Sequence, residues 1–408
     1  MGKLVISKNT KGYVTALLEG NDLVDVDFYD LEKQPILGNI YIGKVKNILK
    51  NINAAFVDIG MEENAYLAIE DHKSIIFTNH KKDTHLNIGD EIVVQVKKES
   101  TKTKGPVLTT QLSLTGRYTV LTAGKNYVGI SNKIEDQGLK ERLKNIVKPF
   151  QNDEYGFIIR TNAKDVEEDT LIKEMNELKN RYETIKKVAM YRSCYQIIEK
   201  APSPFISLVK NHYNSQLERV VIDDKTVYDE VKAYVEEVEL NHISVEYYED
   251  KNLSLFDLNN LRTKIEQALK SKVWLKSGAS IVISPTEALI AIDVNTGKYV
   301  GKKKFEETVY KINMEAAQEI AKQIRLRNLS GIIIVDFIDM KKESYKNELL
   351  RTFKRYLDND PVKVTLLGMT ALNLVEITRK KIKKPIYEQF GCKCNKCDGR
   401  GYVWDIDH

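Results

Sequence analysis

The chain has 408 residues, 42% hydrophobic and 30% charged, with a net charge of +5. That length exceeds one ordinary hydrophobic core and implies about two to four domains. No apolar run reaches the roughly 18 residues of a membrane span. The start, MGKLVISKNTKGYV, lacks the apolar core and cleavage site of a signal peptide, so a cytoplasmic protein is expected.

Four Cys occur, three of them crowded as Cys392, Cys394 and Cys397, which in a cytosolic chain favours metal over disulfides. Cys194, alone in a segment that reads as helical, is expected to be an inert buried thiol. Positive charge is dense at Lys97–Lys104, Lys302–Lys304 and Arg379–Lys384. Any one such run is ordinarily a solvated face, whereas three beside other candidate features point to nucleic acid.

Residues 2–30 alternate as three strands, KLVIS, YVTALLE and LVDVDFY, joined by polar turns. This meander lacks helices, which arrive at 205–272, where YDEVKAYVEEVE and LNNLRTKIEQAL flank a strand, ISVEYY. A split domain, 1–37 plus 205–272, follows. The intervening residues 38–118 hold five short strands with Gly- and Asn-rich turns, which fits a small closed barrel of the OB type. Such barrels stack bases on aromatics while basic residues follow the phosphates. Phe56 and Tyr66 are the candidate stacking residues, with Lys98 and Lys104 on the phosphates; Phe56, inside AAFVDIG, also reads as core. Residues 119–204 give a strand, EYGFIIRTNA, then a charged helix from Glu167 to about Glu199. Arg160 and Thr161, where that strand ends, could donate to a phosphate, although a surface ion pair is the plainer reading.

Residues 280–340 carry the candidate chemistry. Asp293 ends the strand LIAI and shares a face with Asn295, while Asp336 ends IIIV. Between them a helix from Phe305 is expected to bury Phe305, Val309, Ile312, Ala316, Ile320 and Ile324. A strand, crossover helix and strand should lie parallel, placing Asp293 and Asp336 at one sheet edge. Carboxylates at the ends of buried strands suit magnesium or manganese, although strand-end Asp residues are also ordinary caps. Asn295 could orient a scissile phosphate or a water, and Asp339, three residues beyond Asp336, is a candidate third carboxylate. All six His (His72, His80, His85, His212, His242 and His408) fall outside this block. That favours metal-assisted hydrolysis, leaving a 5′-phosphate and a 3′-hydroxyl, over attack by a ribose 2′-hydroxyl.

Taken together, EALIAIDVNTG, EAAQEIAKQIRLRNLSGIIIVDFIDM and CNKCDGRG resemble the ribonuclease E/G family of bacterial endoribonucleases. GNIYIGKV, NAAFVDIG and FIIRTNA extend the resemblance over nearly the whole chain. It implies a multidomain α+β and α/β fold. A split RNase H-like domain (1–37 plus 205–272) receives an S1-type OB barrel (38–118) and a 5′-sensor region (119–204). A DNase I-like catalytic domain (273–390) and a zinc-link segment (391–408) follow. By the resemblance, Asp293 and Asp336 match magnesium-binding carboxylates and Asn295 the Asn that accompanies them. Arg160 and Thr161 match the pocket for a 5′-monophosphate, displacing the plainer reading of that dipeptide. Phe56 and Tyr66 match RNA-stacking aromatics, the second usually Phe; Lys98 and Lys104 match basic residues of the barrel's RNA face.

Cys394 and Cys397 match the family's CPxC without its proline. In the family two subunits share one zinc ion through it, implying a homodimer. Cys392 departs from that pattern and raises a rival arrangement, three thiols and another ligand within one chain. The chain ends eleven residues after Cys397, which places it nearer the G branch than the E branch with its long scaffold. The expected activity is magnesium-dependent cleavage of single-stranded RNA in rRNA processing and mRNA decay. The rivals are a non-catalytic single-strand RNA-binding protein and a nuclease acting on DNA.

Overall fold

The computed structural model describes residues 2–32, 35–69, 75–78, 81, 85–99, 105–132, 134–150, 152–212, 217–297, 305–392 and 394. They form two compact units, Met1–Lys33 with Ser215–His408, and Gln34–Asn214. The first unit opens with an antiparallel meander of β1 (Gly2–Lys8), β2 (Gly12–Glu19) and β3 (Asp22–Asp30).

The second unit begins with β4 (Ile40–Leu49), β5 (Ala54–Asp58), β6 (Ala65–Ala68), β7 (Glu91–Lys98) and β8 (Val107–Thr109). They pair in the order β4-β5-β6-β8-β7, and β7 returns to β4, closing a five-stranded barrel around Val45, Val57, Leu67, Ile92, Val94 and Leu108. GPVLTTQLSL, the last of the five strands expected within 38–118, divides after Thr109, whose hydroxyl accepts from the Gln111 amide at 3.1 Å. The remainder becomes β9 (Ser113–Thr115), which joins β10 (Thr119–Ala123), β11 (Val128–Ile130) and β12 (Tyr155–Ile159) in a sheet ordered β11-β12-β10-β9. Helices α1 (Gln137–Val147) and α2 (Glu168–Ala189) pack on that sheet through Leu143, Leu171, Met175 and Tyr182.

α2 was expected to run to about Glu199 but stops at Ala189. Beyond it the Tyr195 amide donates to the Ile42 carbonyl at 2.8 Å, and β13 (Ile197–Glu199) pairs with β4. Tertiary pairing therefore overrides local helical preference. Cys194 accordingly lies in a turn rather than a helix; it is half-buried, and burial pushes its thiol pKa up. α3 (Pro204–His212) ends the unit.

The first unit resumes with β14 (Leu217–Ile222), α4 (Lys225–Glu237), β15 (Ser244–Tyr247), α5 (Leu255–Leu258) and α6 (Leu261–Leu269). β14 was not foreseen, because LERVVI offers too short an apolar run to stand out. It lies parallel to β1 and gives the sheet β15-β14-β1-β2-β3.

A second sheet follows, built from β16 (Lys272–Trp274), β17 (Ser280–Pro285), β18 (Ile290–Asn295), β19 (Gly331–Asp336), β20 (Val364–Met369) and β21 (Leu374–Arg379). Its order is β16-β17-β18-β19-β21-β20. Helix α7 (Phe305–Leu326) connects β18 to β19, and α8 (Glu343–Leu357) packs beside it in the same core. α7 buries Val309, Ile312, Ala316, Ile320 and Ile324. Phe305, expected with them, is 62% exposed; as the first helical residue it precedes the turn that meets the core.

Both helices share one core with the sheet's inward-facing residues. β19, read from its apolar run as a buried strand, is therefore covered on one face: Ile333 and Val335 are buried, whereas Ile332 is 50% exposed. After β21 the chain runs to α9 (Ile386–Phe390). The basic run here is partly structural. Arg379 is buried with Asp360 at 2.8 Å, and Lys383 binds the Asp27 carboxylate on β3. Among the described residues no helix is long and apolar enough to cross a membrane.

Candidate functional site

β18 alternates buried Ile290, Ile292 and Val294 with exposed Ala291, Asp293 and Asn295. The apolar set faces α7, so the polar set must point to the other side. β18 and β19 are parallel, and their register sets Asp293 directly beside Asp336. Two carboxylates thus share one row of one sheet face. Like charges at such positions repel. The Asp336 carboxyl is accordingly held above its usual pKa, first by partial burial and then by the charges of Asp293 and Asp339.

Neighbouring groups fix this pair. The Asn295 amide Nδ2 donates to Asp293 Oδ2 at 2.6 Å. Directly after it the chain turns at Gly297, φ +65°, where a Cβ would lie 2.4 Å from the Gly278 carbonyl oxygen. Only glycine fits that turn. Asp339 is exposed and accepts from Asn373 Nδ2 at 3.1 Å. On the helix side, buried Asn313 of α7 donates to the Ile338 carbonyl at 2.8 Å and accepts from its amide at 3.1 Å. That pair of bonds clamps the segment carrying Asp336 and Asp339. Asn313 was missed; its signal is a polar residue on the apolar face of a helix, beside Ile312.

A hard divalent cation fits this arrangement. The row supplies two oxygen anions that repel one another without a counter-charge, and magnesium commonly takes one or two carboxylates plus waters and substrate oxygens. Among the described residues no group of three or more His, Cys, Asp or Glu is placed to hold a metal by itself. A closed cage of protein ligands is therefore not present there.

On the barrel, Phe56 is half-buried while its neighbours Ala55 and Val57 are in the core. Register sets Phe56 opposite Tyr66, Tyr66 beside Val107, and Val107 beside Lys98. The two rings meet edge to face with centroids 6.3 Å apart. One outward row thus carries two aromatics and, beyond Val107, an exposed lysine. Lys104 lies outside the described residues.

Arg160 and Thr161 stand where β12 ends and a 3-10 turn, Thr161–Asp165, begins. Arg160 Nη1 donates to the Gly116 carbonyl at 3.0 Å, and the Thr161 and Ser131 hydroxyls are 2.8 Å apart. The loop beneath is held by Glu174 of α2, whose carboxylate accepts from the amides of Arg117 at 2.6 Å, Tyr118 at 2.9 Å and Thr119 at 2.8 Å. No local pattern could have revealed Glu174, because it acts across more than fifty residues. Cys392 and Cys394 are exposed beyond α9, and Cys397 lies outside the described residues.

Residues 113–382 match the Ribonuclease E/G family. Ribonuclease G of Escherichia coli strain K12 is 35% identical over 405 residues, covering 96% of this chain and 82% of that protein. Ribonuclease G of Haemophilus influenzae is 36% identical over 407 residues, with the same 96% and 82% coverage. Ribonuclease E of a Synechocystis species is 34% identical over 376 residues, covering 91% of this chain and 56% of that protein. A domain match over more than half the chain, with relatives this similar along nearly all of it, shows that the protein belongs to the ribonuclease E/G family of endoribonucleases.

Proposed function

We propose that the protein hydrolyses single-stranded RNA with magnesium at Asp293 and Asp336, leaving a 5′-phosphate and a 3′-hydroxyl. The observation that carries this reading is the registered pair of carboxylates on one exposed sheet face. Magnesium, or manganese in its place, supplies an activated water and neutralises charge on the phosphodiester. Asp293 and Asp336 hold the cation, and Asn295 keeps the Asp293 carboxylate in one orientation. The remaining Asn295 amide hydrogen is available to the scissile phosphate.

The other roles rest on the residues that match the family. Phe56 and Tyr66 stack bases while Lys98 and Lys104 follow the phosphates. The outward row of the barrel supports this. Arg160 and Thr161 receive a 5′-monophosphate, supported by a guanidinium and a hydroxyl at adjacent positions of one turn. Cys394 and Cys397 supply half of a tetrahedral zinc site, completed by a second subunit in a homodimer. In this reading the domains are the split RNase H-like domain (1–37 plus 205–272), S1-type barrel (38–118), 5′-sensor region (119–204), DNase I-like domain (273–390) and zinc-link (391–408). The enzyme works in the cytoplasm, in rRNA processing and mRNA decay.

The test is cleavage of a short AU-rich single strand, with and without magnesium, by wild type, Asp293→Asn and Asp336→Asn. Both variants should bind RNA and fail to cut it, and the wild-type product should carry a 5′-phosphate. Undiminished cleavage by either variant would remove the pair from the chemistry.

A further inference from the structure

β16 forms the edge of the six-stranded sheet beside β17. Register pairs Lys272 with Val282 and Trp274 with Ser280; β17 in turn pairs Val282 with Asp293 and Ser280 with Asn295. Directly paired residues share a face. Lys272 therefore stands in the row of Asp293 and Asp336, and Trp274 in the row of Asn295. With strands about 4.8 Å apart, each lies two strands, about 10 Å, from the β18 residue of its row. Val273, between them, turns the other way and packs on the core.

Trp274 is 65% exposed. An indole so open contributes little to a core, and its neighbour gives it a second property. Lys272 Nζ sits 4.1 Å from the ring centroid, so the aromatic surface carries a cation. An aromatic plane with an ammonium beside it is the pairing that single-strand sites use, the ring for a base and the cation for its phosphate. It continues the sheet face that bears the carboxylates.

We propose that Trp274 and Lys272 form a base-stacking position for a nucleotide flanking the scissile phosphate of the RNA. The base lies against the indole and the adjoining phosphate on the lysine, so this position contributes to the choice of cleavage site. The proposal rests on reading Asp293 and Asp336 as the cleavage centre.

The chain has two Trp, so a Trp404→Phe background isolates the emission of Trp274. In that background, with Asp293→Asn to prevent cutting, a short single-stranded RNA should quench the emission in step with its binding. Trp274→Ala should lower kcat/KM about tenfold in the otherwise wild-type enzyme, and Trp274→Phe should retain most activity. An abasic site at the stacked nucleotide should cost wild type the same factor and cost Trp274→Ala nothing further. Emission unmoved by bound RNA would overturn the proposal. So would independent, multiplying effects of the abasic site and Trp274→Ala at every flanking position. A change of emission with protein concentration alone would give the indole to a second copy and reject it too. Undiminished cleavage by Asp293→Asn would instead mean that the cleavage centre itself is misplaced.

Discussion

Asn295 donates its side-chain amide to the carboxylate of Asp293, Nδ2 to Oδ2 at 2.6 Å, across two positions of one strand. The bond removes a rotational freedom that a metal-holding carboxylate would otherwise lose on binding. Asn295→Ala should therefore raise the magnesium concentration needed for half-maximal cleavage and slow the cut, about 10- to 100-fold together. RNA binding, which Asn295 would touch only at the scissile phosphate, should change far less than the cleavage rate. Single-turnover rates against magnesium concentration give the answer, and an unaltered curve would rule out a role for this bond.

Asn313 closes two hydrogen bonds on the backbone of Ile338 from the buried side. Asn313→Leu fills similar space but leaves an amide and a carbonyl without partners. Each such group costs about 1–3 kcal/mol. Denaturant midpoints should fall accordingly, and cleavage should fall further than stability explains, because the segment with Asp336 and Asp339 loses its clamp. A variant with normal midpoint and normal rate would contradict this.

Glu174 gathers three successive amides of the loop under Arg160. Glu174→Ala should erase most of any preference for 5′-monophosphorylated over 5′-hydroxyl RNA. Cleavage of the 5′-hydroxyl substrate should stay close to wild type. Gly116→Ala should act similarly, since its Cβ would lie 2.6 Å from the Glu174 carboxylate. Equal losses on both substrates would mark a general fold defect instead.

Much of the sheet that bears Asp293 and Asp336 was legible in the sequence. Period-2 alternation at 290–295 and a crossover helix of known spacing suffice to place Asp293 beside Asp336. Layer count was not legible, because GIIIVD reads the same whether one face is covered or both. The end of α2 was hidden for another reason: β13 is drawn out of the helical pattern by β4, more than 140 residues away. The bonds of Glu174 to backbone amides and the Lys383–Asp27 contact are long-range pairings made by ordinary charged residues, and nothing local marks them. The barrel lay between these cases. Its strands were foreseen, while Phe56 became distinguishable from core only when its neighbours were seen to face inward.

Burial lifts the Asp27 carboxyl to about 6, although the Lys383 ammonium opposes the shift. An unfolded Asp titrates near 3.9. Between about 4 and 6 the folded chain therefore holds a proton that the unfolded chain releases, and stability falls as pH rises through that window. Asp27→Asn should flatten this part of the profile, as read from denaturant midpoints at several pH values. An unchanged slope would exonerate Asp27.

In the proposed reading, the registered aspartates also set selection for function against selection for robustness. Without a cation, two negative charges side by side on one sheet face weaken the strand pair that carries them. Neutralising one should yield a protein that melts later and no longer cuts, and magnesium should stabilise wild type more than that variant. A population screened for heat resistance alone would drift toward losing one of these carboxylates.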